Sequence, residues 1–214
     1  DGGVEIICGT QDIGCGTRTY MATIVAETLG LQPEDIIVKI GNSDYPWAPI
    51  SGGSLTTPSV APATRDAVLK AAGHLKQMAA EKLETSPEDI VLKEGKLASI
   101  SNPDKSVTLT ELARSLGRET VFHGLRSGMP SEYAYNSFGA HFVEVEVDTL
   151  LGMIKVIKVV AVHDIGRVIN RLTAESQVVG GITQGLSTAL FEQRIIDQYT
   201  GGVVNPNLRD YKIA

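Results

Sequence analysis

Three short segments carry residue types whose spacing suits them to hold a ligand. The first is Gly9-Thr10-Gln11-Asp12-Ile13-Gly14-Cys15-Gly16-Thr17-Arg18-Thr19, set between an apolar run and a helical run. Glycines at such a junction let backbone N–H groups turn toward an anion, and the positive end of the following helix adds to the attraction. A nucleotide P-loop needs Lys and then Ser or Thr after its second glycine; Cys15 and Gly16 stand there, so that reading fails. A dinucleotide fingerprint built on Gly14 and Gly16 lacks its third glycine at Thr19, and lacks the acidic residue about 20 positions further on. A tight structural turn would read the same way.

The second segment is Ser51-Gly52-Gly53-Ser54-Leu55-Thr56-Thr57-Pro58-Ser59-Val60, hydroxyl-rich and just ahead of a helix, which suits a phosphate or pyrophosphate. An ordinary capping loop has the same composition. The third is Gln177-Val178-Val179-Gly180-Gly181-Ile182-Thr183-Gln184-Gly185. Residues seven apart differ by about 20° around a helix, so Gln177 and Gln184 share a face that Gly180 and Gly181 leave bare. Each helical glycine costs roughly 1 kcal/mol against Ala, so a close approach, whether to a ligand or to a packed sheet, must compensate.

No Ser-His-Asp or Cys-His arrangement emerges. His74, His123, His141 and His163 stand in unrelated contexts without metal-ligand spacing. His163 reads best as a structural hydrogen-bonding residue at a strand end, and His74 as part of a helix surface.

The elements that must position these segments follow from periodicity. Val4–Cys8 reads as a strand, the apolar spacing through Leu29 as a helix stopped by Gly30, and Ile36–Ile40 as a second strand. A second helix is predicted from Val60 or Pro62 to about Leu83. Residues 85–134 suggest a small hairpin at 91–98, a short helix at 110–114 capped by Thr108 or Thr110, and a connection over 127–137. Alternation over 142–148 and 154–162 predicts two long paired strands. A helix over 172–191 follows, and Ile195-Ile196 could begin another strand. The expected fold class is α+β with α/β-like layers: two strand–helix subdomains, helices packed on mixed sheets. The divisions expected are 1–84, 85–134 and 135–214.

The 214 residues are 43% hydrophobic and 21% charged, which is ordinary globular composition. A net charge of −6 without a basic block argues against nucleic acid, and the absence of an 18-residue apolar run against a membrane span. Cys8 and Cys15 cannot form a disulfide scaffold or a four-ligand zinc site, so a reducing, cytoplasmic setting is the default. Because the sequence opens at Asp1 and closes on Asp210-Tyr211-Lys212-Ile213-Ala214, it is expected to be a piece of a longer polypeptide.

Taken in order, GTQDIGCGTRT at 9–19, GGSLTTPSVAPATRDA at 52–67, FGAHFVEVEVDTLLGMIKV at 138–156 and VHDIGRVINRLTAESQVVGGITQGLSTALFE at 162–192 resemble the molybdenum-binding subunit of the xanthine dehydrogenase/aldehyde oxidoreductase family. The resemblance is to its second molybdopterin-binding domain. It implies a molybdenum hydroxylase, in which an aldehyde or N-heterocycle receives water-derived oxygen and electrons leave through iron–sulfur clusters to FAD. The metal would be held by the pterin, which explains the missing ligand spacing.

By that resemblance, Gln11, Asp12, Ile13, Gly14, Cys15 and Gly16 would contact the pterin and its phosphate through backbone amides. Ser54, Thr56, Thr57 and Ser59 would hold the phosphate, or the pyrophosphate of molybdopterin cytosine dinucleotide. Gln184 would be an amide donor near the molybdenum ligands, converging with Gly14 on one pocket. Cys15 stands where the family loop often carries Gln. The family's catalytic Glu lies in a Gly-Glu-Pro segment, which does not occur in these residues. No catalytic residue is therefore expected here, and the piece alone is expected to be inactive. Expected partners are a first molybdopterin domain of the same polypeptide and iron–sulfur and flavin subunits, with export to the periplasm known among relatives. The competing readings are an NAD(P)-binding dehydrogenase domain and a non-catalytic scaffold.

Overall fold

The computed structural model describes residues 2–128 and 131–214; the expected connection at 127–137 lies partly outside them. The chain divides into two compact units, Asp1–Ser131 and Glu132–Ala214.

The first unit begins with a strand, β1 (Val4–Cys8), a helix, α1 (Thr17–Leu29), and a second strand, β2 (Ile36–Ile40), with β1 and β2 parallel in the register Val4 to Ile36. Parallel neighbours need a crossover, and α1 supplies it. Its inward residues Tyr20, Met21, Val25 and Leu29 are all buried. A long helix, α2 (Thr56–Leu83), packs against α1 through residues such as Val60, Thr64, Val68 and Leu75.

Both helices leave through the same device. Each ends in a left-handed residue, Gly30 at φ 65° and Glu84 at φ 54°, and each is followed by a Pro-Glu-Asp 3-10 turn opening a strand on a buried isoleucine, Ile36 or Ile90. Gly30 is also obligatory sterically, since a Cβ there would sit 2.5 Å from the Glu94 amide nitrogen. After α2 comes a three-stranded antiparallel sheet of β3 (Ile90–Lys93), β4 (Lys96–Ser99) and β5 (Ser106–Thr108), in that order. The short helix α3 (Leu109–Ser115) starts from a reciprocal capping box between Thr108 and Glu111.

Between β1, α1, α2 and the segment 119–126 lies a largely apolar cavity of ≈ 720 Å³. Its lining includes Ile6, Val25, Val60, Phe122, Ser59 and Arg126.

In the second unit, β6 (Phe138–Asp148) and β7 (Met153–Asp164) form a long antiparallel hairpin with a register shift at Glu144/Val145. Asp148 accepts the Leu150 and Leu151 amides at its turn, and Gly152 takes φ 67°. The helix α4 (Arg171–Leu190) is capped by the Asn170 side chain on the Thr173 amide. The run at Ile195-Ile196 yields only an isolated bridge from Ile196 to Val203. Buried Asn205 secures that loop, donating to the Gln193 carbonyl and accepting from the Ile195 amide.

The α+β class expected from the sequence is the one observed. Two details differ. α2 begins at Thr56, ahead of the predicted start, because Pro58 falls in the first turn, where an amide has no helical acceptor anyway. Pro62 lies inside the helix, its lost bond offset by the buried neighbours Val60, Ala61 and Thr64. The strand β5 was too short and polar to register as alternation.

A carboxylate pins the β3–β4–β5 sheet to the end of α2. Asp89 accepts from the hydroxyls of Ser99, Thr85 and Ser101 and from the Ser101 amide. These bonds, Ser99's foremost, hold its pKa down to about 2. A depressed carboxyl stabilises the fold above its unfolded pKa and loses that contribution as pH falls toward the folded value. Asp89→Asn is therefore expected to lower the urea midpoint at pH 7, with the gap to the unsubstituted chain closing between about pH 4 and pH 2. Urea titrations across that range check it.

Candidate functional site

The junction after β1 is closed upon itself. Gly9 donates its amide to the Pro46 carbonyl at 2.8 Å, and a Cβ on Gly9 would lie 2.7 Å from that oxygen. The close approach that Gly9 permits is thus to the chain's own backbone. Gln11 then fastens this loop to the next: its Oε1 accepts from the Ser51 amide at 3.1 Å, and its carbonyl accepts from the Ser51 hydroxyl at 2.6 Å. The two loops singled out by composition share one surface of the first unit.

The amides of the glycine loop, however, do not stand open. The N-cap of α1 is Gly16, left-handed at φ 77° and without a capping side chain of its own. Asp12 does that work from four residues upstream. Its Oδ1 accepts the amides of Gly14 (3.0 Å) and Gly16 (3.2 Å), and its Oδ2 accepts that of Arg18 (3.3 Å). Burial works to raise the Asp12 pKa, but the bonds from Gly14, Arg18, Gly16 and Thr17 outweigh it and leave the group below the usual carboxylate range. The Gly14 and Gly16 amides, expected to meet an external anion, donate in this structure to a carboxylate of the same loop, as the positive end of a helix favours. The Ile13 side chain is exposed, as are Gln11 and Gly14, with Cys15 half-buried against the Thr17 hydroxyl at 3.2 Å.

The start of α2 is the converse. Its N-cap is Leu55, which supplies no side-chain acceptor, so the first-turn amides of Thr56 and Thr57 are not capped by it. Ser54 precedes it at φ 60°, a conformation a non-glycine residue adopts at a cost. A Cβ added at Gly52 or Gly53 would meet nothing within 4 Å. Thr56, Thr57 and Ser59, expected in a loop, lie in the helix's first turn: Thr56 is buried, Thr57 exposed and Ser59 half-buried. Arg126, which the sequence analysis missed, donates to the Ser59 hydroxyl at 3.4 Å. Sixty-seven residues separate the two, and no local pattern links them.

The two helix starts adjoin at Tyr20. Its side chain is 3% exposed and its hydroxyl has no hydrogen-bond partner. Burial pushes its pKa up to about 12, partly eased by the neighbouring Thr17 and Thr57 hydroxyls. Thr10, with a buried and equally unpartnered hydroxyl, lies on the same glycine loop.

Gln184 belongs to the second unit, exposed on α4 together with Gln177, Gly180 and Gly181. A Cβ at Gly180, Gly181 or Gly185 would meet nothing within 4 Å, so among the described residues these glycines pack against no neighbour. Tight packing on a sheet of this chain is not their reason. His163 makes the structural bond expected of it, to His141 across the hairpin at 2.8 Å, and half-buried His74 meets the Phe122 ring at a tilt of 49°. Among the described residues, no three His, Cys, Asp or Glu side chains cluster as a metal site, and no helix is long and apolar enough to cross a membrane.

The start of α2 thus gathers the Thr56, Thr57 and Ser59 hydroxyls and the Arg126 guanidinium, next to the buried Tyr20 phenol. Comparison with known proteins gives this a family. The molybdopterin cofactor-binding domain matches residues 1–214. The aldehyde oxidoreductase molybdenum-binding subunit PaoC of Escherichia coli (strain K12) is 34% identical over the whole chain, which spans 28% of that relative's length. The xanthine dehydrogenase molybdenum-binding subunit of Escherichia coli O157:H7 is 32% identical, again over the whole chain and 29% of its own length. Among solved structures, the Cu,Mo-CO dehydrogenase in its carbon monoxide reduced state superposes with a TM-score of 0.83 at 29% identity, covering 96% of this chain and 26% of its own. The chain belongs to the molybdopterin cofactor-binding domains of the xanthine dehydrogenase/aldehyde oxidoreductase family of molybdenum enzymes.

Removing the internal cap tests the loop's chemistry. Asp12→Ala is expected to cost about 1 kcal/mol, the usual worth of an N-cap acceptor, read from urea unfolding at pH 7. Because the folded pKa of Asp12 is depressed, the difference should shrink as pH falls below the ordinary carboxylate value.

Proposed function

We propose that the full-length polypeptide is a molybdenum hydroxylase of the aldehyde oxidoreductase/xanthine dehydrogenase type, and that this chain supplies part of the wall that holds its cofactor. The observation that carries the proposal is the pair of helix starts joined by Gln11 and Ser51, one closed by Asp12 and the other open with Thr56, Thr57 and Ser59. The residues fit a pterin with an anionic tail. Gln11, Asp12, Ile13, Gly14, Cys15 and Gly16 form a preorganised, neutralised edge for the pterin. Ser54, Thr56, Thr57 and Ser59 provide donors for its phosphate, or for the pyrophosphate of the cytosine dinucleotide form.

Gln184 presents an amide from a helix face kept bare by Gly180 and Gly181, and would serve as a donor toward the molybdenum ligands. When bound, the cofactor supplies two-electron oxidation of a substrate carbon with oxygen taken from water. This chain's own contribution is to bind and orient it. The general base, a Glu in a Gly-Glu-Pro segment, would come from elsewhere in the polypeptide, so the piece alone is inactive. An aldehyde or N-heterocycle is the proposed substrate class. Iron–sulfur and flavin subunits are the proposed electron partners, a first molybdopterin domain the neighbour in the same polypeptide, and the cytoplasm the proposed compartment.

The test is made on the full-length protein, expressed with its maturation machinery, denatured and assayed for molybdenum and released nucleotide. Molybdenum with cytidine nucleotide is the expected result, and Gln184→Ala should retain folding while lowering hydroxylase kcat at least about tenfold. A well-folded complex holding neither would favour the scaffold reading, and bound nicotinamide nucleotide the dehydrogenase.

A further inference from the structure

We infer that His141 and His163 form a two-imidazole site for a divalent late transition-metal ion such as Zn(II), closing the open end of the β6–β7 hairpin. The site belongs wholly to the second unit and is independent of the proposed cofactor role.

The sequence keeps the two histidines apart, and the hairpin register brings them together. His141 stands opposite Ala161 and His163 opposite Gly139, so the two rings sit diagonally on one face of the strands. Their Nε2 atoms are 2.8 Å apart, and the rings meet edge to face with centroids separated by 4.9 Å. An ion bonded to imidazole nitrogens at about 2.0–2.1 Å sets two of them about 2.9 Å apart at a right angle, and about 3.4 Å apart at the tetrahedral angle. From 2.8 Å the pair has to open by about 0.6 Å at most to exchange its hydrogen bond for an ion.

Gly139 makes this arrangement possible. A Cβ there would lie 2.7 Å from Nδ1 of His163 and 3.1 Å from the Val162 carbonyl oxygen, so the His163 ring lies across the strand where a side chain would otherwise stand. Glycine inside a strand weakens it and marks a place of close approach. Both histidines are exposed, which leaves the remaining coordination positions to water.

The donor set selects the ion. Val143, Val159 and Ala161 share the histidines' face by strand alternation, whereas Glu144 and Asp164 fall on the other, where Asp164 accepts the Gly166 amide. Two nitrogen donors with no carboxylate beside them suit zinc, copper or nickel; calcium and magnesium take oxygen ligands. Binding replaces two waters of the aqua ion with two Nε2 lone pairs. The ring that donated its Nε2 hydrogen carries that hydrogen on Nδ1 instead, and no electron is transferred. The bound ion ties together the strand ends farthest from the Asp148 turn.

The experiment uses the full-length protein without an affinity tag, freed of loosely held metal with EDTA and titrated with Zn(II) by calorimetry. His141→Ala and His163→Ala are each expected to weaken Zn(II) at least about tenfold, and the double variant to bind no more weakly than either single one, since the chelate needs both rings. His163→Gln, which can still hydrogen-bond to His141, should not restore binding. Gly139→Ala keeps both imidazoles but displaces the His163 ring, and should weaken Zn(II) several-fold. Circular dichroism with thermal melting verifies that each variant folds. A loss smaller than about tenfold in either alanine variant overturns the site, as does the absence of Zn(II) binding to the unsubstituted protein.

Discussion

The first turn of any α-helix leaves amide hydrogens that nothing inside the helix can accept, and the first unit of this protein sets two such turns side by side around Tyr20. What answers those amides decides what the surface can do. At α1 the answer is internal, a carboxylate on three amides, and the junction becomes a rigid neutral corner. At α2 no side chain answers; the residues there are hydroxyls, and a guanidinium stands close by. The two neighbouring helix starts therefore differ in character, one met by a carboxylate and the other by hydroxyls.

That arrangement depends on backbone geometry more than on the side chains that would touch a ligand. The parallel pairing of β1 with β2 forces α1 to cross over, which fixes where its N-terminus stands. Gly9 lets the loop press against Pro46, and the Gln11–Ser51 bonds then draw the segment ahead of α2 to the same place. α2 tolerates Pro62 because its buried face against α1 outweighs one lost helical bond, and Pro58 helps its start by fixing φ where no amide is needed. The open helix start is therefore held by a packed core that includes Val60, Thr64 and Val68, rather than by the loop that leads into it.

How much of this was legible in the sequence follows the range of the interactions. Elements governed by period and stop residues came through: β1, α1 with Gly30, β2, the β3–β4 hairpin, the Thr108 cap and the long β6–β7 hairpin. The α2 start did not, because two prolines in a hydroxyl-rich run look like loop until buried partners are known. The Asp12 cap did not either. Capping patterns place the acceptor at the N-cap itself, whereas here the carboxylate reaches over Ile13, Gly14 and Cys15 to the amides beyond. Arg126 was invisible for a plainer reason: it meets Ser59 only through the fold. Composition singled out both loops, while the groups that meet each helix start's amides needed coordinates.

The second unit poses the complementary problem, one of missing compensation. α4 buries only Ser187 among its residues, yet it carries Gly180, Gly181 and Gly185, each at roughly 1 kcal/mol against Ala. Most of a protein helix's stability comes from packing one face, so this glycine-bearing one must gain stability from surfaces laid against it. The hairpin shows the same need: Phe138 and Phe142 stand 73% and 68% exposed on strands whose Glu144–Lys158 and Glu146–Lys155 pairs favour its register but cover no apolar face. The chain spans 28% of the length of PaoC, so the proposed neighbours in the longer polypeptide have ample sequence to supply those surfaces. On that reading, the glycines are kept because a side chain at 180, 181 or 185 would hold off what must come close. The helix then acquires its order together with the contact that gives Gln184 its role.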